Sequence, residues 1–339
     1  MYDIDIGKRA DILSYRWKRS RLRLLKSDIL PMLSNVRHLK IAGNGSRRLL
    51  PRSAPDLAIS LPGLTRVEWD FQDCEAEPDN ESTDRDSLDL DSDSESDTMS
   101  SSGSPKVRGE DRVAFADGLR KTQFQSLSSA MITIYHETPT DERRTCPSIV
   151  PGGFTYDPFS ATLRNLSQNL TELKLSAHLD STLFWPSPDE QYAVPPFWPR
   201  LRSIDVTFNM VAPSGARYFK EPWNPRTHPD PQNFHPFVTA FAKAVAKMPV
   251  LEYFMLLSEP GEDAGTFCIS YHAPGKEAQW VCEGPKDLAC RRIYYACGVD
   301  KIWVPEPEIA EGLRGAGREK FGGEVIERYL GPCWSGRVV

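Results

Sequence analysis

No apolar run in this sequence approaches the roughly 20 residues that a helix needs to span a bilayer. Its hydrophobic stretches are short and broken by charge. The N-terminus, "MYDIDIGKRADILSYRWKRSRLRLLK", lacks the uninterrupted apolar core of a secretory signal, because acids and bases recur throughout it. Cysteine is scarce: the seven residues Cys74, Cys146, Cys268, Cys282, Cys290, Cys297 and Cys333 are odd in number and contain no Cys-x-x-Cys pair. These absences argue against a membrane span and a disulfide framework, and they lead us to expect a reduced chain in the cytoplasm or nucleus. The Asn-x-Ser/Thr sequons at Asn44, Asn80, Asn165 and Asn169 then read as ordinary polar residues.

Common catalytic signatures are missing too. There is no Gly-x-Ser-x-Gly elbow, no Gly-x-x-x-x-Gly-Lys-Ser/Thr phosphate loop and no His-Glu-x-x-His zinc helix. The six histidines, His38, His136, His178, His228, His235 and His272, keep no metal-like spacing. Cys282, Cys290 and Cys297 with His272 are the densest sulfur and imidazole group, but their intervals match no zinc knuckle. We expect no catalytic residues, no metal and no cofactor. One enzymatic alternative stays open, a site in the C-terminal region around Tyr294, Trp303 and Glu306. Glu68 and Asp70 of "EWDFQD" share a strand face as paired carboxylates would, although a polar recognition surface explains them more simply.

What the sequence does have is charge, unevenly spread beneath a net value of −6. Between Asp73 and Asp97 twelve acids stand against one base, whereas from Met1 to Arg52 thirteen Lys and Arg stand against four acids. The stretch "RWKRSRLRLLK", Arg16 to Lys26, raises nucleic acid or an anionic membrane as a partner. Ile12, Leu13, Trp17, Leu22, Leu24 and Leu25 fit an amphipathic helix better. Residues 1–32 therefore read as basic capping helices over the open end of a repeat stack. Neither nucleic acid nor membrane is expected as partner.

Residues 73–111 have almost no large apolar side chains, cannot offset their own ordering entropy, and read as a disordered acidic insertion. A fold tolerates such an insertion, since closure entropy rises only about 0.6 kcal/mol per doubling of loop length. Within it Thr83, Ser92 and Ser94 each precede an acid by three residues, the spacing an acidophilic kinase accepts. Folding back onto the basic Arg16–Lys26 stretch is one specific role the block could take.

With that block set aside, one pattern recurs. "LSNVRHLKIAGN" carries Leu33, Val36, Leu39, Ile41 and Asn44. The phase returns in Leu61, Leu64, Val67 and Trp69, in Trp198, Leu201, Ile204, Val206 and Asn209, and in Met248, Leu251, Phe254 and Leu256. Leu170, Leu173 and Leu175 repeat it with His178 in the asparagine place, and Ile132 and Ile134 are a degraded copy. Taking Leu39, Val67, Ile132, Leu173, Ile204 and Phe254 as equivalent gives spacings of 28, 65, 41, 31 and 50. The shorter spacings lie close to leucine-rich repeats, and the longer ones hold insertions. Helix signals fall between the strands: Asp157 as N-cap with Pro158, Phe159, Leu163 and Leu166, and "FHPFVTAFAKAVAKM" with Phe237, Phe241, Ala244, Val245 and Met248 at helical spacing. A doubly wound nucleotide fold would need a glycine-rich turn after the first strand. "IAGNGSRR" supplies Gly43 and Gly45 but no third glycine.

The pattern predicts an α/β chain, an irregular leucine-rich-repeat solenoid with parallel strands on the concave face and helices outside. Residues 33–72 and 112–265 hold the repeats, and residues 266–339 form a C-terminal cap. Strand alternation then turns His38, Lys40, Arg66, Glu68, Asp70, Thr133, Tyr135, Glu172, Lys174, Asp205, Thr207, Tyr253 and Met255 outward as a protein-binding face.

The irregular repeats, the acidic interruption, and a tail reading "RRIYYACGVDKIWVPEPEIAEGLRGAG" then "GGEVIERYLGPCW" resemble the F-box-type leucine-rich-repeat proteins of filamentous fungi over about Leu33 to Trp334. That resemblance implies a repeat domain presenting a ubiquitination substrate, with an N-terminal F-box docking the adaptor of a cullin-based ubiquitin ligase. The opening "MYDIDIGKRADIL" carries no Leu-Pro signal of an F-box, so the sequence itself supports the substrate face more than the adaptor contact. A non-catalytic scaffold outside any ligase is the alternative.

Overall fold

A computed structural model describes residues 21–22, 30–42, 48–73, 104–122, 124–136, 146–191, 193–220, 228–259, 266–278, 281, 283–297 and 303–330. In chain order the elements begin with β1 (Arg21–Leu22), β2 (His38–Ile41), β3 (Arg48–Leu49), α1 (Ser53–Ala58), β4 (Arg66–Asp73) and α2 (Pro105–Lys121). They continue with β5 (Ser129–His136), α3 (Pro158–Ser167), β6 (Glu172–Ala177), a single 3₁₀ turn at Ser181–Leu183, β7 (Ser203–Phe208), β8 (Phe219–Lys220) and β9 (His228–Pro229). The last are α4 (Phe234–Val245), β10 (Tyr253–Ser258), β11 (Phe267–His272), α5 (Pro285–Leu288), β12 (Arg291–Cys297), α6 (Pro307–Arg314), α7 (Arg318–Phe321) and β13 (Val325–Leu330).

Nine of these strands make one open sheet in the order β13-β12-β11-β10-β7-β6-β5-β4-β2. From β2 through β10 every neighbour is parallel; β11 runs against both β10 and β12, and β13 returns parallel to β12. The molecule is thus an α/β protein with a mostly parallel sheet that does not close on itself. No helix among the described residues is long and apolar enough to cross a membrane.

The repeated Leu-x-x-Leu has a local cause. The Leu64 N–H donates to Leu61 O at 3.1 Å, Leu251 to Met248 O at 3.2 Å and Val36 to Leu33 O at 3.3 Å, so each unit turns tightly before its strand. Two apolar side chains three residues apart then point the same way; Leu64 and Leu251 are 2% and 0% exposed. Gly63 lies inside one such turn, where a Cβ would collide with Ser34 O. The strand starts are joined by a second recurring device. Arg37 O accepts the N–H groups of Thr65 and Arg66, Thr65 O those of Ser128 and Ser129, Ser128 O those of Thr171 and Glu172, Thr171 O those of Arg202 and Ser203, and Arg202 O those of Glu252 and Tyr253. Hydroxyls of Thr65, Ser128 and Thr171 donate to the same carbonyls at 2.8–3.1 Å. Each unit thereby fixes the register of the next.

That register aligns Leu39, Val67, Ala130, Leu173, Ile204 and Phe254 side by side, and Ile41, Trp69, Ile132, Leu175, Val206 and Leu256 in a second row. Five of the six positions taken as equivalent from sequence share the first row. Ile132 belongs to the second, because the small Ala130 fills the place its pattern reserved for a leucine. Asn209 closes the end of its strand, its Oδ1 accepting the Val211 N–H at 3.0 Å.

Both rows face one core, into which the helices press Ala54, Phe115, Phe159, Leu163, Phe237, Phe241, Ile309 and Leu313. Each such Phe, Leu or Ile side chain contributes roughly 1.5–3 kcal/mol on burial. Rings thicken the core towards the C-terminal end: Phe208 lies 4.9 Å from Phe237, Phe184 4.8 Å from Phe241, and Phe234 4.8 Å from Phe267. The helix layer follows the order of the sheet, α1 touching α2, α2 touching α3, then the 3₁₀ turn, α4 and α6. Asp157 caps α3 as expected, accepting from the Ser160 N–H at 3.0 Å. The same carboxylate takes Arg112 of α2 at 2.5 and 3.1 Å, fastening the two helices.

Three regions depart from the sequence expectation. The only described residues of the segment read as capping helices before residue 30 form β1, which pairs parallel with β3. Helix α2 opens at Pro105, inside the stretch read as the acidic insertion. The composition changes there: Ser104 accepts the Val107 N–H and proline occupies the first turn. The C-terminal region read as a cap instead extends the sheet by β11, β12 and β13 and adds α6 and α7 to the helix layer. Gly317 makes that possible, with φ +62° and with Leu251 O and the Tyr271 hydroxyl packed where a Cβ would stand.

Candidate functional site

The sheet face turned away from the helices carries the outward rows. One row is His38, Arg66, Ser129, Glu172, Ser203, Tyr253, His272 and Arg292. The next is Lys40, Glu68, Met131, Lys174, Asp205, Met255, Ser270 and Tyr294, followed by Asp70, Thr133, Ser176, Thr207, Leu257 and Cys268. Neighbours within a row sit about 4.8 Å apart, the spacing of paired strands. All thirteen residues expected to face outward lie on this face, Tyr135 being 60% exposed beyond the third row.

Its charges are grouped. At the β2–β4 end Glu68 gathers Lys40 at 3.1 Å, Arg66 at 2.7 Å and His38 at 3.4 Å. The Lys40 ammonium, helped by Arg66 and opposed by burial, holds the Glu68 carboxyl below its ordinary value. This occupies Glu68 as a hub, so Glu68 and Asp70 do not act as a matched pair. Mid-face, Asp205 meets Lys174 at 3.3 Å. Burial raises the Asp205 pKa and outweighs that lysine.

The C-terminal third is covered. The described residues between Ala273 and Cys290 lie over β11 and β12 as a strap. Arg292 donates to the carbonyls of Cys290 at 2.7 Å, Asp287 at 2.8 Å and Ala273 at 3.4 Å, and also to Lys276 O. Glu283 lies 2.5 Å from the Arg292 Nε and accepts from the Tyr294 hydroxyl. Asp287 takes Arg328 at 2.8 Å. Just outside, Glu252 binds Arg202 at 2.9 Å, Lys320 at 2.7 Å and Lys276 at 3.3 Å, tying a strand start to the strap and to α7.

Beneath the strap Ser270 and His272 share one face of β11, and Glu283 lies near enough for its charge to act on the imidazole. Their environment suits fastening better than turnover. Ser270 and His272 are 0% and 2% exposed. Burial, with Arg292 adding and Glu283 opposing, pushes the His272 pKa down to about 4, which makes it a poor general base near neutrality. Glu283 is already engaged by Arg292, Tyr294 and the Ala278 N–H.

The three residues of the C-terminal enzymatic alternative do not share a site. Tyr294 lies under the strap; Trp303 packs on the opposite face against Phe267 at 5.3 Å and Tyr295 at 6.2 Å; Glu306 pairs with His235 of α4 at 3.2 Å. Likewise His272 and Cys297 occupy opposite faces of the sheet, Cys282 lies outside the described residues, and no metal-ligand group occurs among the described residues. Thr83, Ser92 and Ser94 also lie outside them.

Sequence reasoning missed Ser129, Met131, Ser176 and Ser203 on the parallel strands, and all of Cys268, Ser270, His272, Arg292 and Tyr294. Ser129 and Met131 were hidden by the two-residue slip at Ile132, whereas Ser176 and Ser203 lie one alternation beyond the residues taken from their strands. Those of β11 and β12 had no signal to find, since every residue of both strands is buried and the alternation vanishes.

Helix–strand units side by side, one face sheathed by helices and the other left to charged and aromatic side chains, define an open-faced α/β protein. Residues 124–297, more than half of the chain, match the model of a Family of unknown function (DUF6546), and the chain belongs to that family. No curated protein and no solved structure matches it. The matched span runs from the approach to β5 to the end of β12, so it contains Asp205 and the strap, while the Glu68 hub lies outside it.

Proposed function

We propose that this chain is a non-catalytic protein-recognition domain, an irregular solenoid of the leucine-rich-repeat type whose bare sheet face is its working surface. The observation that carries this reading is the thirteen outward residues standing in register on one face, His38 to Tyr253 in one row, Lys40 to Met255 in the next, Asp70 to Thr207 in a third and Tyr135 beyond it. Their mixture of charge with Tyr253, Met255 and Tyr135 suits a protein partner, since aromatic residues and Met are enriched in interface cores. The strand-to-strand carbonyl ladder and the ordered helix layer support the solenoid, because each unit leans mainly on its neighbours. Whether the domain presents ubiquitination substrates to a cullin-based ligase or works as a free scaffold is a further choice. The first rests on the F-box-type resemblance alone.

The test is site-specific photo-crosslinking of the full chain in its native cells. A photoreactive residue at Thr133, Lys174 or Tyr253 should capture one and the same protein, while the same group at Lys243, exposed on α4, should not. Capture from Lys243 with none from the sheet face would overturn the reading. Recovery of a cullin adaptor in the crosslinked complex would select the ligase role over the scaffold.

A further inference from the structure

We propose that the open face around Asp205 seats a lysine or arginine side chain of the partner protein, with Tyr253 and Met255 forming the wall beside it. This rests on reading the open face as the recognition surface and adds the chemistry of what is recognised.

The other carboxylates of this region that pair with basic groups are satisfied. Glu68 and Glu252 each hold three basic groups, Glu283 holds Arg292 and Tyr294, and Asp287 holds Arg328. Asp205 is different. Its Oδ2 meets Lys174 Nζ at 3.3 Å, while its Oδ1 is shut off from solvent and has no hydrogen-bond partner among the described residues. Its side chain is only 15% exposed, whereas that of Lys174 is 58% exposed and can leave for water at little cost. A buried acceptor without a donor is where an added hydrogen bond gains most.

The surroundings select the donor. The Asp205 charge, after burial, raises the pKa of both Tyr253 and Cys268, so its field reaches across β10 and β11 as well as towards Lys174. Met255 is its partner in the row, and Tyr253 stands next to Met255 on the same face. A half-buried ring and a thioether offer a cation a polarisable wall. Glu172 and Asp70 share the face and disfavour an acidic visitor. Once Lys174 swings out into water the carboxylate is uncovered, and a guanidinium then brings a second N–H for the unpaired Oδ1 that the single ammonium of Lys174 does not supply.

The test uses the full chain and random short peptides displayed on phage. Peptides selected on the native chain and competed by blocking the open face should carry Arg or Lys at one fixed position beside an apolar residue. A selected peptide should lose about tenfold or more in affinity against Asp205→Asn, a variant of the same shape whose melting temperature checks folding. Against Lys174→Met it should bind more tightly, because the resident cation is gone; this second variant keeps the test decisive if Asp205→Asn is unstable. Open-face binders without a basic preference, and indifferent to both variants, would overturn this inference and leave the recognition surface standing. Binders insensitive to every substitution on the open face would overturn both.

Discussion

Arg112 and Asp157 illustrate how single residues hold the helix layer together. Asp157 is wholly buried and Arg112 is 5% exposed, with the guanidinium also donating to His178 O at 2.8 Å and lying 4.3 Å over the Phe159 ring. Removing one member strands the other: Arg112→Met should cost about 3–5 kcal/mol by urea denaturation. Adding Asp157→Asn, which keeps the helix cap, should return a substantial part of that loss. Two buried groups set opposite pH slopes. Burial and the Asp157 charge raise Asp180 from 3.8 to about 6, so its stabilisation is present below 3.8 and is lost as pH rises through 6. His272 is lowered from 6.5 to about 4, so its stabilisation is present above 6.5 and is lost as pH falls through 4, about 3 kcal/mol in full. The two compensate over this interval. In Asp180→Asn the fall in urea midpoint on acidification should be steeper than in the native chain; a parallel pH profile would refute the compensation.

At the scale of elements, the strap is the part most open to perturbation. Arg292 reaches four backbone carbonyls, and that fork cannot be reproduced by an ammonium. Arg292→Lys should therefore raise hydrogen exchange in peptides spanning the strap nearly as much as Arg292→Met, with β5 to β7 left protected. An exchange rate for Arg292→Lys near that of the native chain would show that charge alone holds it. The elements also show how much could be read in advance. Helix α3 was legible because cap, proline and 3.6-residue spacing agree, α4 because proline and spacing agree, and β2, β4, β6, β7 and β10 because leucine spacing and alternation agree. Most of the open face up to Met255 followed from that alternation, Ser129, Met131, Ser176 and Ser203 excepted. What lies beyond was not legible: β11 and β12 are buried on both faces, so their polar residues carry no period, and the strap over them is set by long-range contacts of Arg292. Helix α2 was half hidden because its first residues adjoin an acidic run and its own apolar stripe is thin.

Across the whole molecule, one large core among the described residues links Ala54 to Ala316, with a small second cluster of Leu257, Cys268 and Ala296 on the other face of the sheet, which argues for a single cooperative unit. Ile204, 2% exposed on a central strand, is the place to probe this. Ile204→Ala should cost about 2–5 kcal/mol. It should also lower the transition seen by circular dichroism and the labelling of the Cys268 and Cys297 thiols to the same extent. Thiols that react well before the far-ultraviolet signal changes would divide the sheet into independently melting parts.

Glu327 on β13 has a consequence for the company the molecule keeps. This last strand turns a carboxylate towards the core side, where Tyr295 and Arg314 hold it at 2.8 Å. A visiting strand docked alongside would have to bury its own side chains next to an anion. The sheet therefore carries a terminator at this margin: growth by adding copies edge to edge is discouraged there.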